Sequence, residues 1–256
     1  MNALEFARLV RDRQQAIGYW VVLDDPIATE RLARLGYDYV VVDAQHGTLG
    51  YTGIRNAMLA IDAGGTSAAV VRVEQNDPFA IGRVLDAGAT GIIVPLVDTA
   101  EDAAAAVRAT RYPPAGRRSY GPMRSELRVG PAPAEANESV LVLAMIETPE
   151  GLANVTEICA TPGLDGIYVG PADLRLAVGG ATASDPAADD AFEAALVKIA
   201  EAAANAGIAA GIHTPSGEVA AHRLAQGYTY ATVSCDLVHL EQAAKAHLSA
   251  ARGEQA

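Results

Sequence analysis

Four ionisable residues stand at the ends of apolar runs: His46 after YVVVDAQ, Arg72 in AAVVRV, Glu147 after VLVLAMI and Asp173 after GIYVGPA. Two carboxylates following consecutive strand-like runs, with no histidine or cysteine ligand beside them, make a hard, oxygen-rich pair suited to Mg²⁺ or Mn²⁺. The same residues are also placed to cap the helices that begin in ETPEGL and ADL, and the spacing leaves both readings open. Arg72 lies inside an apolar run, where a cation needs a partner. That partner is either a developing oxyanion in a pocket or a carboxylate on a neighbouring strand. Histidine titrates near neutrality and suits proton transfer, although a lone histidine after a strand is more often a loop residue. Asp86, in RVLDAG, would orient such a histidine or simply end a helix before glycine. The turn Gly170-Pro171-Ala172-Asp173 presents backbone amides to a carboxylate, or is a plain strand-to-helix turn. Trp20, the single tryptophan, walls a pocket or packs the core. His213, Asp236 and His239 share the same side without an assigned role.

Positioning such residues together requires a scaffold that ends many strands at one face. Runs at 19–23, 39–43, 69–73, 91–96, 140–147, 166–170, 208–213 and 230–234 read as strands, several of them continuously apolar as in a covered parallel sheet. Between them lie segments with helical periodicity, often closed by glycine. Eightfold alternation of strand and helix predicts a (β/α)8 barrel, with residues 1–256 as one domain. Two connections are long. The first, from Arg111 to about Val140, contains RYPPAGRRSYGP and is expected to cover the barrel mouth. The second follows Asp173 through LRLAVGGATASDPAADD.

Composition narrows the function. A formal net charge of −12 opposes nucleic acid or an anionic membrane as partner. Cys159 and Cys235 form neither a zinc pattern nor a disulfide framework. The charged, amphipathic start lacks a secretory apolar core, and no run approaches membrane-span length, so a cytoplasmic location is expected. Lys198 and Lys245 lie in helix-like stretches and not at strand ends, which argues against Schiff-base chemistry.

The ordered segments GYDYVVVDAQHG, VVRVEQNDP, LDAGATGIIVPLVDTAEDA, ATRYPPAGRRSYGP, IETPEGLANV and GIYVGPADL resemble the HpcH/HpaI family of class II pyruvate aldolases from about Gly18 to Asp236. The resemblance implies a TIM barrel assembled as a hexamer with an exchanged C-terminal helix. It implies Glu147 and Asp173 as ligands of Mg²⁺, Mn²⁺ or Co²⁺, His46 as base, Asp86 as the group raising its basicity, and Arg72 as stabiliser of the enolate. The amides of Ala172 and Asp173 would receive the substrate carboxylate, with Gly170, Pro171, Trp20 and Met145 lining its site. The implied reaction is reversible cleavage of a 4-hydroxy-2-oxo acid into pyruvate or hydroxypyruvate and an aldehyde. Oxaloacetate decarboxylation and a non-catalytic barrel are the alternatives. Gln45 and Met145 depart from residues common in the family, glutamate and glutamine, which bears on pocket polarity and aldehyde preference.

Overall fold

The computed structural model describes residues 2–130 and 132–253. Eight parallel strands close into a barrel in sequence order: β1 (Ala16–Val21), β2 (Tyr39–Asp43), β3 (Ala68–Arg72), β4 (Gly91–Val94), β5 (Leu141–Ile146), β6 (Gly166–Val169), β7 (Ala209–Thr214) and β8 (Tyr230–Cys235). Helices return the chain between them, so the chain folds as a (β/α)8 barrel. Their starts are set by local chemistry. Asp25 and Asp77 each cap a helix whose first residue is proline, where the missing N–H costs nothing. Thr99 and Asp102 form a reciprocal capping box.

Strand residues alternate between two apolar clusters because side chains on a strand have period 2. Outward residues such as Val40, Val42, Val71, Ile92 and Ile167 pack under the helices. Inward residues such as Tyr39, Val41, Val70, Ile93, Leu143, Tyr168 and Tyr230 fill the barrel, whose lower end is plugged by Phe6, Ala7 and Val10 of the helix Ala3–Arg11. Large and small residues interlock within the layers. A Cβ on Gly18 would lie 2.3 Å from the Tyr39 ring, and one on Gly211 would lie 2.1 Å from the Tyr230 ring. These glycines are therefore packing requirements set by two tyrosines.

The same parity, carried to the strand ends, brings the polar groups together. Trp20, Asp43, Arg72, Met145, Gly170 and His213 each follow by two or four residues an inward position of their own strand. Glu147 continues β5 by the same step.

The first long connection departs from expectation. Arg111 sends Nη1 to the Val140 carbonyl at 2.9 Å and Nη2 to Asp165 at 3.3 Å, at the starts of β5 and β6. Arg124 N–H donates to the Asp86 carbonyl at 3.1 Å. RYPPAGRRSYGP therefore packs at the N-terminal end of the strands, opposite the mouth. The reason is topological: a segment joining a helix to the next strand must end at that strand's beginning. The second long connection follows a strand and does reach the C-terminal side, where Ala183 and Ser184 border a cleft beside the mouth.

Candidate active site

Asp43 organises the centre of the mouth. It is buried and accepts from Arg72 Nε at 2.9 Å, from Arg72 Nη2, and from Trp20 Nε1 at 3.2 Å. Its Oδ1 also accepts from the backbone N–H groups of Gln45 and His46, at 3.1 and 3.2 Å. One carboxylate thus fixes the arginine fork, the indole plane and the turn that carries His46. Burial alone would raise the Asp43 pKa; the hydrogen bonds and charge of Arg72, with the His46 amide and Trp20, outweigh it and hold the carboxyl below its ordinary value. Arg72 consequently has the neighbouring-strand partner expected of a buried cation, and it still lines the pocket. Its guanidinium lies 5.0 Å from the Trp20 ring centroid.

Glu147 is buried, and its two oxygens differ. Oε1 accepts the Leu96 amide at 2.9 Å; Oε2 is buried without a hydrogen-bond partner. Leu96 takes a left-handed φ of 53°, a sparsely populated conformation for a branched residue, at the position that donates to the carboxylate. Burial raises the Glu147 pKa against the pull of the Leu96 amide, and the nearby Asp173 carboxylate raises it further. Gly170 makes room: a Cβ there would lie 2.5 Å from Glu147 Oε2. The capping alternative does not hold for either acid. Thr148 caps the helix Pro149–Ala153, and the helix Pro171–Ala177 begins at Gly170 without a side-chain cap. A buried, unpaired carboxylate oxygen beside a second, exposed carboxylate would suit a hard divalent cation that keeps several water or substrate oxygens. Among the described residues no group of three or more His, Cys, Asp or Glu side chains is clustered for a metal, so no third side chain of these types would join the two acids.

A pocket of about 210 Å³ is lined by Trp20, His46, Arg72, Met145, Gly170, Pro171, Ala172, Asp173 and His213. The amides of Ala172 and Asp173 precede the first intrahelical bond, Leu174 N–H to the Gly170 carbonyl at 2.9 Å, and remain available for an incoming carboxylate. His46 is exposed at the rim.

Asp86 is not brought to this pocket. It ends the helix Pro78–Asp86 at the lower face, where Oδ1 pairs with the buried Arg118 at 2.7 Å. Burial raises its pKa while the Arg118 hydrogen bond and charge oppose the rise. The helix runs antiparallel to the strands, so its last residue lies away from the mouth of its own barrel.

Sequence reasoning missed Asp43 and the Leu96 amide. Asp43 was visible in principle, being the next inward position after Tyr39 and Val41; Leu96 contributes backbone only and has no side-chain signal. Asp236 and His239 have structural roles. Asp236 accepts the Val22 and Leu23 amides at 3.0 and 3.1 Å, and His239 Nδ1 meets Tyr19 OH at 2.8 Å.

Comparison with known proteins shows the family. Residues 16–243 match the family model for the HpcH/HpaI aldolase/citrate lyase family. The chain belongs to that family. It is 41% identical over 238 residues to the hydroxypyruvate/pyruvate aldolase of Rhizorhabdus wittichii, covering 93% of this chain and 94% of the relative. It is 38% identical over 237 residues to the 5-keto-4-deoxy-D-glucarate aldolase of Klebsiella pneumoniae, covering 91% of each. A crystal structure of an HpcH/HpaI aldolase/citrate lyase family protein from Burkholderia cenocepacia superposes with a TM-score of 0.89 at 33% identity, over 97% of this chain and 99% of that one. The protein is an enzyme, a carbon–carbon lyase of the aldolase kind.

Proposed function

We propose that the enzyme cleaves 4-hydroxy-2-oxo acids reversibly into pyruvate or hydroxypyruvate and an aldehyde, with a divalent cation, Mg²⁺, Mn²⁺ or Co²⁺, at Glu147 and Asp173. The observation that carries this reading is the partnerless Glu147 Oε2, buried near Asp173 and behind Gly170, which line a pocket shared with Arg72 and His46. When bound there, the cation supplies Lewis acidity toward the 2-keto oxygen.

The chain's own groups do the rest. The Ala172 and Asp173 amides receive the substrate carboxylate and fix the 2-oxo acid across the mouth. In cleavage His46 removes the proton of the C4 hydroxyl, the C3–C4 bond breaks, and its electron pair passes into the enolate. Arg72, held in place by Asp43, stabilises the negative charge on that oxygen. Protonation at C3 releases the 2-oxo acid; condensation runs the same steps backwards. Trp20 and Met145 exclude water from one side of the pocket.

Two further elements belong to the reading. The helix Asp236–Arg252 has no buried residue and exposes Leu237, Val238, Leu240 and Leu248, which fits a helix exchanged between subunits of a hexamer. Since Asp86 sits at the far end of its own barrel, it raises the basicity of His46 only if a neighbouring copy supplies it. The whole chain acts as one domain on small molecules in the cytoplasm, without nucleic acid or membrane. Among the described residues no helix is long and apolar enough to cross a membrane.

The test is release of pyruvate or hydroxypyruvate from a panel of 4-hydroxy-2-oxo acids. Cleavage that is abolished by EDTA, restored by Mn²⁺ and lost in Glu147→Ala and Asp173→Ala supports the reading. Full turnover in EDTA, or in either variant, overturns it.

A further inference from the structure

His213 is the one ionisable side chain of the pocket that this mechanism does not use. It ends the inward row Ala209, Gly211, His213 on β7 and sets its ring edge-on to Trp20, with centroids 5.3 Å apart and planes at 72°. Nδ1 lies 2.9 Å from Thr232 Oγ1, and Thr232 Oγ1 is also hydrogen-bonded to Tyr168 OH.

The protons in this chain can be assigned. Tyr168 is fully buried, and among the described residues Thr232 Oγ1 is the one hydrogen-bond partner of its hydroxyl. Leaving a buried O–H without an acceptor costs about 1–3 kcal/mol, so Tyr168 donates to Thr232. Thr232 then has one proton to give, and its other partner is His213 Nδ1. Nδ1 is therefore the acceptor, and the ring proton sits on Nε2. Among the described residues Nε2 has no hydrogen-bond partner, and it is not sealed off from the pocket that His213 lines. Burial and the nearby Arg72 charge lower the His213 pKa to about 4 against a weaker opposing effect of Asp43, so the ring is neutral at neutral pH. A neutral ring with Nδ1 occupied from behind is a directional donor and not a base.

His213 also stands between two spaces. It lines the catalytic pocket, and it lines an adjoining cleft of about 520 Å³ that shares Pro171 and Ala172 with it. A substrate group that reaches from the catalytic pocket into this cleft would pass the His213 ring, which lines both.

We propose that His213 is a specificity residue whose Nε2–H donates to a hydroxyl oxygen of the substrate, so that hydroxylated substrates are favoured over their deoxy counterparts. The inference rests on the aldolase reading above. The oxygen belongs either to the 2-oxo acid, at C3 of hydroxypyruvate, or to the aldehyde, at the carbon next to its carbonyl. Both present the same acceptor to the same donor. A site built to hydrogen-bond a hydroxyl discriminates against the analogue lacking it, because its own donor is left unpaired.

The experiment compares the holoenzyme with its His213→Phe and His213→Gln variants on four condensations: pyruvate or hydroxypyruvate, each with acetaldehyde or glycolaldehyde. In His213→Phe the ratio of kcat/KM for hydroxylated over deoxy substrate falls about tenfold on one side, whatever the change in absolute rate. The side that falls identifies the oxygen. In His213→Gln, whose amide N–H reaches the Nε2 position, much of the ratio returns. Ratios unchanged on both sides, or no return in the glutamine variant, overturn the proposal. Nitrogen-15 NMR of histidine-labelled wild-type protein tests the donor without any substrate: Nε2 is expected to carry the proton, and an Nδ1–H signal for His213 overturns the assignment. Were the wild-type enzyme to turn over none of the four pairs while NMR showed the Nε2–H form, the aldolase reading would fail and the donor would stand.

Discussion

Arg72 and Asp43 face each other in register across β2 and β3, with Arg72 Nε 2.9 Å from Asp43 Oδ1 and both side chains buried. The pair is closed enough to need its own balance and open enough at Arg72 to serve the pocket. Removing one partner leaves the other charge buried alone, so Asp43→Ala is expected to cost about 3–5 kcal/mol of stability. Asp43→Asn keeps the shape and costs less. The pH dependence has a definite sign. A carboxyl held below its ordinary pKa stabilises the fold above the unfolded value near 4 and loses that contribution as pH falls through the lower, folded value. Urea unfolding between pH 3 and 7 should therefore show a smaller acid-side decline in Asp43→Asn than in the wild type. Equal slopes would mean that the ion pair carries no net charge stabilisation.

Glu147 has the opposite sign. Its raised pKa means that the folded protein resists the ionised form, so at neutral pH without metal the carboxylate reduces stability. Glu147→Gln is expected to melt at or above the wild-type temperature in EDTA. With Mn²⁺ at a hundred times its dissociation constant the wild type should gain about 2.7 kcal/mol and the variant nothing, which reverses the order. Thermal melts under the two conditions check this. A variant that responds to Mn²⁺ like the wild type would place the cation elsewhere.

The barrel was legible because it is written twice, in the β-branched runs and in the helical stretches between them. Seven of the eight strand runs match the observed strands to within two residues at each end; the first, 19–23, is displaced from Ala16–Val21. The fifth was read as 140–147 and is paired over Leu141–Ile146, since Glu147 turns out of the ladder toward the Leu96 amide. Glu147, Asp173, Arg72 and His46 are candidates from strand-end position and chemistry, given roles by the family resemblance, and the structure brings them together at one mouth. Asp43 is not among them, because an aspartate ending a strand before a loop has an ordinary explanation, and its five contacts come from three separated segments. The loop RYPPAGRRSYGP was misplaced for a different reason. Proline, glycine and arginine describe an ordered loop but not which end of the barrel it occupies; that follows from whether a helix or a strand precedes it. Asp86 shows the same effect at residue scale.

Assembly is open to a single substitution. Leu240 is 61% exposed in the protomer, on a helix whose residues are otherwise half-buried or exposed. On a free surface Leu240→Glu would change stability by less than about 0.5 kcal/mol and leave the mass unchanged. In an exchanged helix it would place a charge in an apolar contact and shift the protein toward smaller species. Light scattering after size-exclusion chromatography distinguishes these outcomes, and the exchanged-helix reading expects dissociation.

The position of Asp86 yields the sharpest test of how the site is completed. His46 stands at the mouth of its barrel, and Asp86 pairs with Arg118 at the other end. His46→Ala is expected to lower turnover by about 10²–10⁴, the usual worth of a positioned acid–base group. Asp86→Asn should lower it by less and shift the pH profile, because it acts through the histidine. If the aspartate comes from a neighbouring copy, each variant alone is impaired at every site. Co-expressed in equal amounts, the two would assemble with about a quarter of sites carrying both native residues, and activity would rise well above the mean of the separate variants. If the aspartate instead acts within its own barrel, every subunit in the mixture carries one defect and no activity returns. The mixed assembly, purified with two affinity tags and assayed beside each parent, decides between them; a rise places His46 and Asp86 of different chains in one site.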